Sequence, residues 1–225
     1  MTRSAAEPIT IPVDGTDGVS GLWQTASNAK ACFVLAHGAG AGMRQPFLES
    51  FAGQLAALQI ASLRYQFFYM DRGSKRPDPP KLCHTVVRAA VAEATRRTSA
   101  PLVAGGRSFG GRMTSQAQAE SPLPGVRGLV FLAFPLHPAK RPASDRAQHL
   151  FAVHIPMLFL QGTRDELAEM QLLEPLLTKL GKNARARLIE SADHSFHVPA
   201  RSGRTDAAVA TELVETLAHW VDSIS

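Results

Sequence analysis

Residue types able to carry acyl-transfer chemistry stand at three places in this 225-residue chain: Ser108 inside "GGRSFGGR", Asp165 just beyond "MLFLQGT", and His194 in "ADHSFH". A serine hydroxyl is too weak an acid to attack a carbonyl unaided, so it needs a neighbouring base and a backbone that exposes it. Gly106-Arg107-Ser108-Phe109-Gly110 is a G-x-S-x-G pattern, in which the residues two before and two after the serine stay small so that a sharp strand-to-helix turn can hold the hydroxyl out. The same pentapeptide also occurs in plain glycine turns. What raises its weight is position, because the apolar run "LVAGG" precedes it and an amphipathic stretch from about residue 109 to 120 follows.

An activated serine needs an acid and a histidine, and in this turn type they follow in that order, each after a later strand. Asp165 and His194 fit both the order and the strand-end positions. Asp165 could instead cap a helix starting at Glu166, which is the nearest rival acid. His197 competes with His194, while Asp193 is a poor orienting acid because adjacent side chains diverge. Two donors must also face the developing oxyanion, each worth about 3–4 kcal/mol. The Phe109 N–H, at the start of the helix after Ser108, is one; the loop "HGAGAG" offers Ala39 N–H as the second, with Gly40 as fallback. Dinucleotide binding is disfavoured there, since Gly38, Gly40 and Gly42 give G-x-G-x-G with Met43 in place of the third glycine, and the next strand has no acid at its tip.

The elements that must position these residues read as short β-rich runs alternating with longer amphipathic ones, the pattern of a mostly parallel sheet covered by helices. Residues 8–13 and 19–24 form an antiparallel edge pair. Strands follow at "ACFVLA", "IASLRYQF", "LVAGG", 126–134, 156–162 and "ARARLIE", which makes about 7–8 in a three-layer α/β/α arrangement. Helices are expected over "PFLESFAGQLAALQI", 81–99, 109–120, "ELAEMQLLEPLLTKLGKN" and the C-terminal "TDAAVATELVETLAHWVDSI". Residues 135–155 are a short insert, too small for a large cap domain, so residues 1–225 read as one domain.

Composition sets bounds on function. Hydrophobic residues at 45% and charged residues at 19% describe a folding globular chain. The net charge of +5 and pI of 9.6 come from scattered Lys and Arg, without the basic clusters of a nucleic-acid footprint. Neither a secretory leader nor an apolar run long enough to span a bilayer is visible, which predicts a cytoplasmic protein with no membrane partner. Cys32 and Cys83 have no metal-ligand spacing and read as plain thiols.

Taken together, "HGAGAGM", "RYQFFYM", "GGRSFGGRM", "FPLHP", "MLFLQGTRDEL" and "ADHSF" resemble, in the same order, motifs of the α/β-hydrolase superfamily. The similarity is to its small uncapped proteins related to dienelactone hydrolase and to testis-expressed protein 30, and covers nearly the whole chain. The resemblance implies a nucleophile at Ser108, acid at Asp165, base at His194 and backbone donors at Ala39 and Phe109, working without a cofactor on a small acyl substrate. Two departures, Phe68 where relatives usually carry proline and "HPAKRP" in place of a glycine-containing loop, bear on the pocket wall. His37, Gly40, Arg107, Phe67, Phe68 and Tyr69 are the candidates to line a shallow, open site. Arg107 and Arg112 read as solvated charges, with anion recognition left open. Some members of this group are scaffold components, so an inactive binding protein is the alternative reading.

Overall fold

β3 (Ala31–Ala36) and β4 (Ile60–Tyr65) are buried along their full length, as expected for apolar strands covered on both faces. They are joined by α1 (Pro46–Ala57), whose Pro46 supplies the fixed φ of a first helical turn. β1 (Glu7–Ile11) and β2 (Val19–Gln24) form the antiparallel edge pair, β2 running antiparallel to β4 as well. The chain continues through α2 (Phe68–Asp71), α3 (Pro80–Arg97), β5 (Leu102–Arg107), α4 (Phe109–Glu120), β6 (Val126–Leu132), a 3₁₀ segment (Asp145–Ala152), β7 (Met157–Gly162), α5 (Met170–Leu180), β8 (Ala184–Ile189) and α6 (Asp206–Ile224). This is a computed structural model describing residues 5–224; residues 1–4, part of the stretch read for a leader, and Ser225 lie outside the described residues.

The eight strands lie in the order β1-β2-β4-β3-β5-β6-β7-β8, parallel from β4 to β8. Alternate side chains of β3 feed two cores. Cys32, Val34 and Ala36 join the layer that includes α3, α4 and α5, whereas Ala31, Phe33 and Leu35 meet α1 and α6. The result is the three-layer α/β-hydrolase architecture, with no cap domain. The chain leaves β3 in one direction for β4 and later returns on its other side for β5, so the crevice of the sheet opens above the carboxyl ends of β3 and β5. Ser108 follows β5, and the "HGAGAG" loop follows β3.

Three local expectations need correction. The helix expected from Glu166 begins at Met170, because the Asp165 carboxylate accepts the Leu167 N–H and the Ala168 N–H bonds back to the Asp165 carbonyl, which closes a separate turn first. β6 stops at Leu132 rather than residue 134, where Ala133 takes a positive φ of 57° and turns the chain. Met70 and Asp71, which open a Pro- and Arg-rich stretch expected to be a loop, belong to the single helical turn α2. The 135–155 segment is seated on the body of the protein: Leu136 N–H bonds Leu167 C=O at 2.8 Å, His137 pairs with Glu169, and His149 Nε2 meets Ser115 Oγ at 2.7 Å.

Candidate active site

The turn at Ser108 is forced by crowding. A methyl group on Gly106 would lie 2.3 Å from the Ala36 carbonyl oxygen, and one on Gly110 would lie 2.5 Å from that of His37. Both small positions of the G-x-S-x-G pattern therefore press on the same spot, the end of β3 where the glycine loop begins. Ser108 itself has φ 47° and ψ −112°, a conformation unfavourable for a residue with a Cβ. Its N–H is anchored to Leu132 C=O at 2.9 Å, and its carbonyl accepts the Arg112 N–H at 3.1 Å.

His194 Nε2 stands 2.9 Å from Ser108 Oγ, and its Nδ1 stands 2.8 Å from Asp165 Oδ2. An ionised Asp165 can only accept, so the neutral ring carries its proton on Nδ1 and leaves Nε2 to accept the serine O–H. Asp165 is 2% exposed and has further donors in Gln161 Nε2 at 2.5 Å and Leu167 N–H at 2.8 Å. Asp165 thus closes the turn through Oδ1 and meets His194 and Gln161 through Oδ2, while the helix it was expected to cap begins further on, at Met170. Gln161, buried at the end of β7, accepts the Phe134 N–H and so ties the acid to the strand-end turn after β6. Sequence reasoning missed it; the only signal is a polar side chain closing the apolar run "MLFLQ".

The loop bearing His194 is stitched to the loop bearing the acid. Arg164 N–H bonds Ala192 C=O at 2.9 Å, and Ser191 N–H bonds Thr163 Oγ1 at 2.9 Å. Asp193 spends its carboxylate on the Ser195 and His197 N–H groups and so organises the turn. His197, the rival histidine, is exposed and faces Asp206 at 2.9 Å, which draws it away from Ser108.

Among the expected oxyanion donors, the Phe109 N–H opens α4 and has no intrahelical acceptor. Gly40, the fallback, is already engaged: its N–H donates to the Tyr69 hydroxyl at 3.3 Å. Ala39 is exposed, beside Gly38, whose absent methyl would point to the Arg107 carbonyl at 3.8 Å. His37 Nδ1 donates to Gly38 C=O at 2.7 Å, and its Nε2 accepts the Phe67 N–H at 3.3 Å. Because C=O and N–H of a trans peptide point in opposite directions, fixing the Gly38 carbonyl inward turns the Ala39 N–H outward. Arg64 and Gln66 hold the far end of the loop, donating to Met43 C=O and accepting Met43 N–H respectively.

Several pocket candidates are placed differently from expectation. Phe67 is fully buried, packed edge-on to His37, Tyr65 and Phe109, and His37 is equally buried; both support the glycine loop from below. Phe68 is nearly buried under Arg72. Tyr69 reaches a cleft of about 530 Å³ shared with Arg72, Ser74, Arg76 and Asp78. Arg107 is 8% exposed, lying over the Phe47 ring at 5.1 Å with Asp165 and Asp193 as the acids nearest in charge, so it is no solvated surface cation. A 225-residue chain with an Arg and Phe in such proportion gives no local sign of which ones go inside.

Burial holds His37 and His149 down to about 4, from an ordinary 6.5. Between these values the unfolded chain takes up protons that the folded chain refuses, so stability present above about pH 6.5 is lost as pH falls toward 4. For His37 the full effect is about 3 kcal/mol. Urea midpoints should fall from pH 7 to pH 5, and His37→Gln should flatten that slope; a flat wild-type profile would contradict a neutral, buried His37.

With fold and geometry in place, comparison with known proteins gives the class. A family model described as an alpha/beta hydrolase domain matches residues 29–222, and the chain belongs to that family. Among solved structures, it is similar to a dienelactone hydrolase from Anabaena variabilis, at 19% identity over 99% of each chain with a TM-score of 0.80. It is also similar to an α/β serine hydrolase without lid from Xanthomonas campestris, at 19% identity over 98% of this chain and 97% of that one, TM-score 0.74. The esterase domain of a Rhodothermus marinus protein matches at 13% identity over 96% and 98%, TM-score 0.73. No helix among the described residues is long and apolar enough to cross a membrane.

Proposed function

We propose that the protein is a serine hydrolase that cleaves an ester, thioester or similar acyl bond of a small substrate through Ser108, His194 and Asp165. The observation that carries this reading is the continuous hydrogen-bonded chain from Ser108 Oγ through both His194 nitrogens to a buried Asp165. His194 Nε2 takes the serine proton as Oγ attacks the carbonyl carbon, and Asp165 stabilises the resulting imidazolium. The N–H groups of Phe109 and Ala39 receive the developing oxyanion. His194 then returns the proton to the leaving group, and water, activated by the same nitrogen, releases the acyl-enzyme. The structural neighbours, two hydrolases and an esterase domain, support this class. No step calls on a cofactor.

A fluorophosphonate probe tests the reading without a natural substrate. It is expected to add one phosphonyl group at Ser108, located by peptide mass spectrometry, in the wild-type protein and at much lower rate in His194→Ala. A folded wild-type sample that takes no label would favour a hydrolase-fold binding protein instead.

A further inference from the structure

Several arginines of this chain have acceptors. Arg96 and Arg97 pair with Glu93, Arg187 and Arg204 with Glu212, Arg72 with Asp78, and Arg88 bonds the carbonyls of Ala117 and Ser121. Arg107, buried beside Ser108, has no hydrogen-bond acceptor but has Asp193 and Asp165 as its nearby acids, and two half-buried ones, Arg112 and Arg146, have no acceptor among the described residues. Arg112, on the first turn of α4, has a fully enclosed Nε with no hydrogen-bond partner and makes its side-chain contact with the face of Phe109, 5.6 Å from the ring centre. Arg146, on the 3₁₀ segment, is partly withdrawn from water and has no ion pair among the described residues.

The two cations stand on elements that are joined to each other. The Ser115–His149 contact joins α4 to the 3₁₀ segment, and Arg112 and Arg146 each lie three residues before their helix's partner in that contact, on the same helical faces. Burial first, and the Arg146 charge after it, hold the Arg112 guanidinium below its ordinary value. No ion pair among the described residues neutralises them. His149 is neutral, the Cys83 thiol is pushed up to about 12, Glu120 is engaged by His84, and Asp78 by Arg72 and the Tyr69 N–H. A desolvated guanidinium lacking an acceptor is unfavourable, and two together more so, unless an anion sits between them.

We infer that Arg112 and Arg146 form a subsite for a carboxylate or phosphate carried by the substrate, a few bonds from the carbonyl that Ser108 attacks. Arg112 stands one helical turn from Ser108 and over the ring of Phe109, whose N–H faces the oxyanion, which sets that separation. The identity of the reacting bond rests on the serine-hydrolase reading; the anion site rests on the arginines alone.

Two matched pairs of esters test it and locate the anion. Mono-4-nitrophenyl glutarate against 4-nitrophenyl pentanoate places the charge on the acyl side; 4-acetoxybenzoate against its methyl ester places it on the leaving group. The charged member of one pair should be favoured in kcat/KM by about tenfold or more. Arg112→Gln and Arg146→Gln should each erase most of that preference, chiefly through KM, and Arg112→Lys should restore part of it. A preference that instead follows Arg76→Gln, in the cleft beside Tyr69, would overturn the assignment. Glutarate binding by calorimetry, on protein with wild-type melting behaviour, separates the two readings. If glutarate binds and Arg112→Gln abolishes binding while no ester turns over, the subsite stands and the hydrolase reading falls. If esters turn over with no charge preference and glutarate does not bind, the subsite falls and the hydrolase reading stands.

Discussion

Ser108→Ala is expected to lower kcat on 4-nitrophenyl acetate and butyrate by about 10⁴- to 10⁶-fold, to the residual rate that a binding site and oxyanion donors provide without a nucleophile. The size follows from the geometry. Ser108 Oγ is the only hydroxyl held against His194 Nε2 among the described residues, and its backbone is fixed by Leu132 on one side and α4 on the other, so no neighbour can substitute. The variant should keep its fold and gain a little stability, because alanine at φ 47° is no more strained than serine and the Oγ bond is partly solvent-facing. Equal rates in Ser108→Ala and wild type would sink the proposed function. Double substitution with Asp165→Asn should cost little more than Ser108→Ala alone, since residues that act as a unit are not additive.

Gly105→Ala is expected to be the most damaging small substitution in the chain. The added methyl would meet the Val130 carbonyl oxygen at 1.9 Å, with the Val130 carbonyl carbon and nitrogen both within 2.9 Å, and Gly105 adopts φ +155°. These contacts are with backbone of the central strand β6, which cannot yield without breaking the ladder on which Ser108 is mounted. A loss of more than about 4 kcal/mol follows, a large share of an ordinary domain's stability. Gly203→Ala is the control: its φ of +69° carries strain, but nothing lies within 4 Å, and a cost near 1 kcal/mol is expected. Urea unfolding of both variants decides the matter; equal midpoints would show that the β5–β6 crowding is not limiting.

The sequence made the frame of this site readable because each element announces itself locally. Pro46 and Pro80 begin helices, "LVAGG" is an apolar run ending in glycines, Ser108 directly follows β5, and Asp165 and His194 stand in the loops after β7 and β8. What escaped it depends on contacts far apart in the chain. "FFYM" beside a loop rich in Pro and Arg has the composition of an exposed rim, yet Phe67 and Tyr69 are buried because β4 delivers them beneath the glycine loop. Arg64 and Gln161 sit in apolar strands where only their distant partners, Met43 and Phe134, with Asp165 four residues beyond Gln161, explain a polar side chain. The start of α5 was misplaced because the Asp165 carboxylate, engaged with Leu167 and His194 together, imposes a turn that helix propensity does not foresee.

The pressing of Gly106 and Gly110 onto Ala36 and His37 has a consequence for redesign. The Ser108 turn and the glycine loop are welded into one hub, so that neither can be remodelled without the other. The cleft bordered by residues 69–79 and the segment carrying Arg146 join the rest through named ties, Tyr69 to Gly40, His149 to Ser115 and His137 to Glu169, and through Tyr69, Leu136, Ala147 and Leu150 in the core. Grafting either segment from a related hydrolase, with its ties preserved, is the economical route to a new substrate range on an unchanged reaction centre.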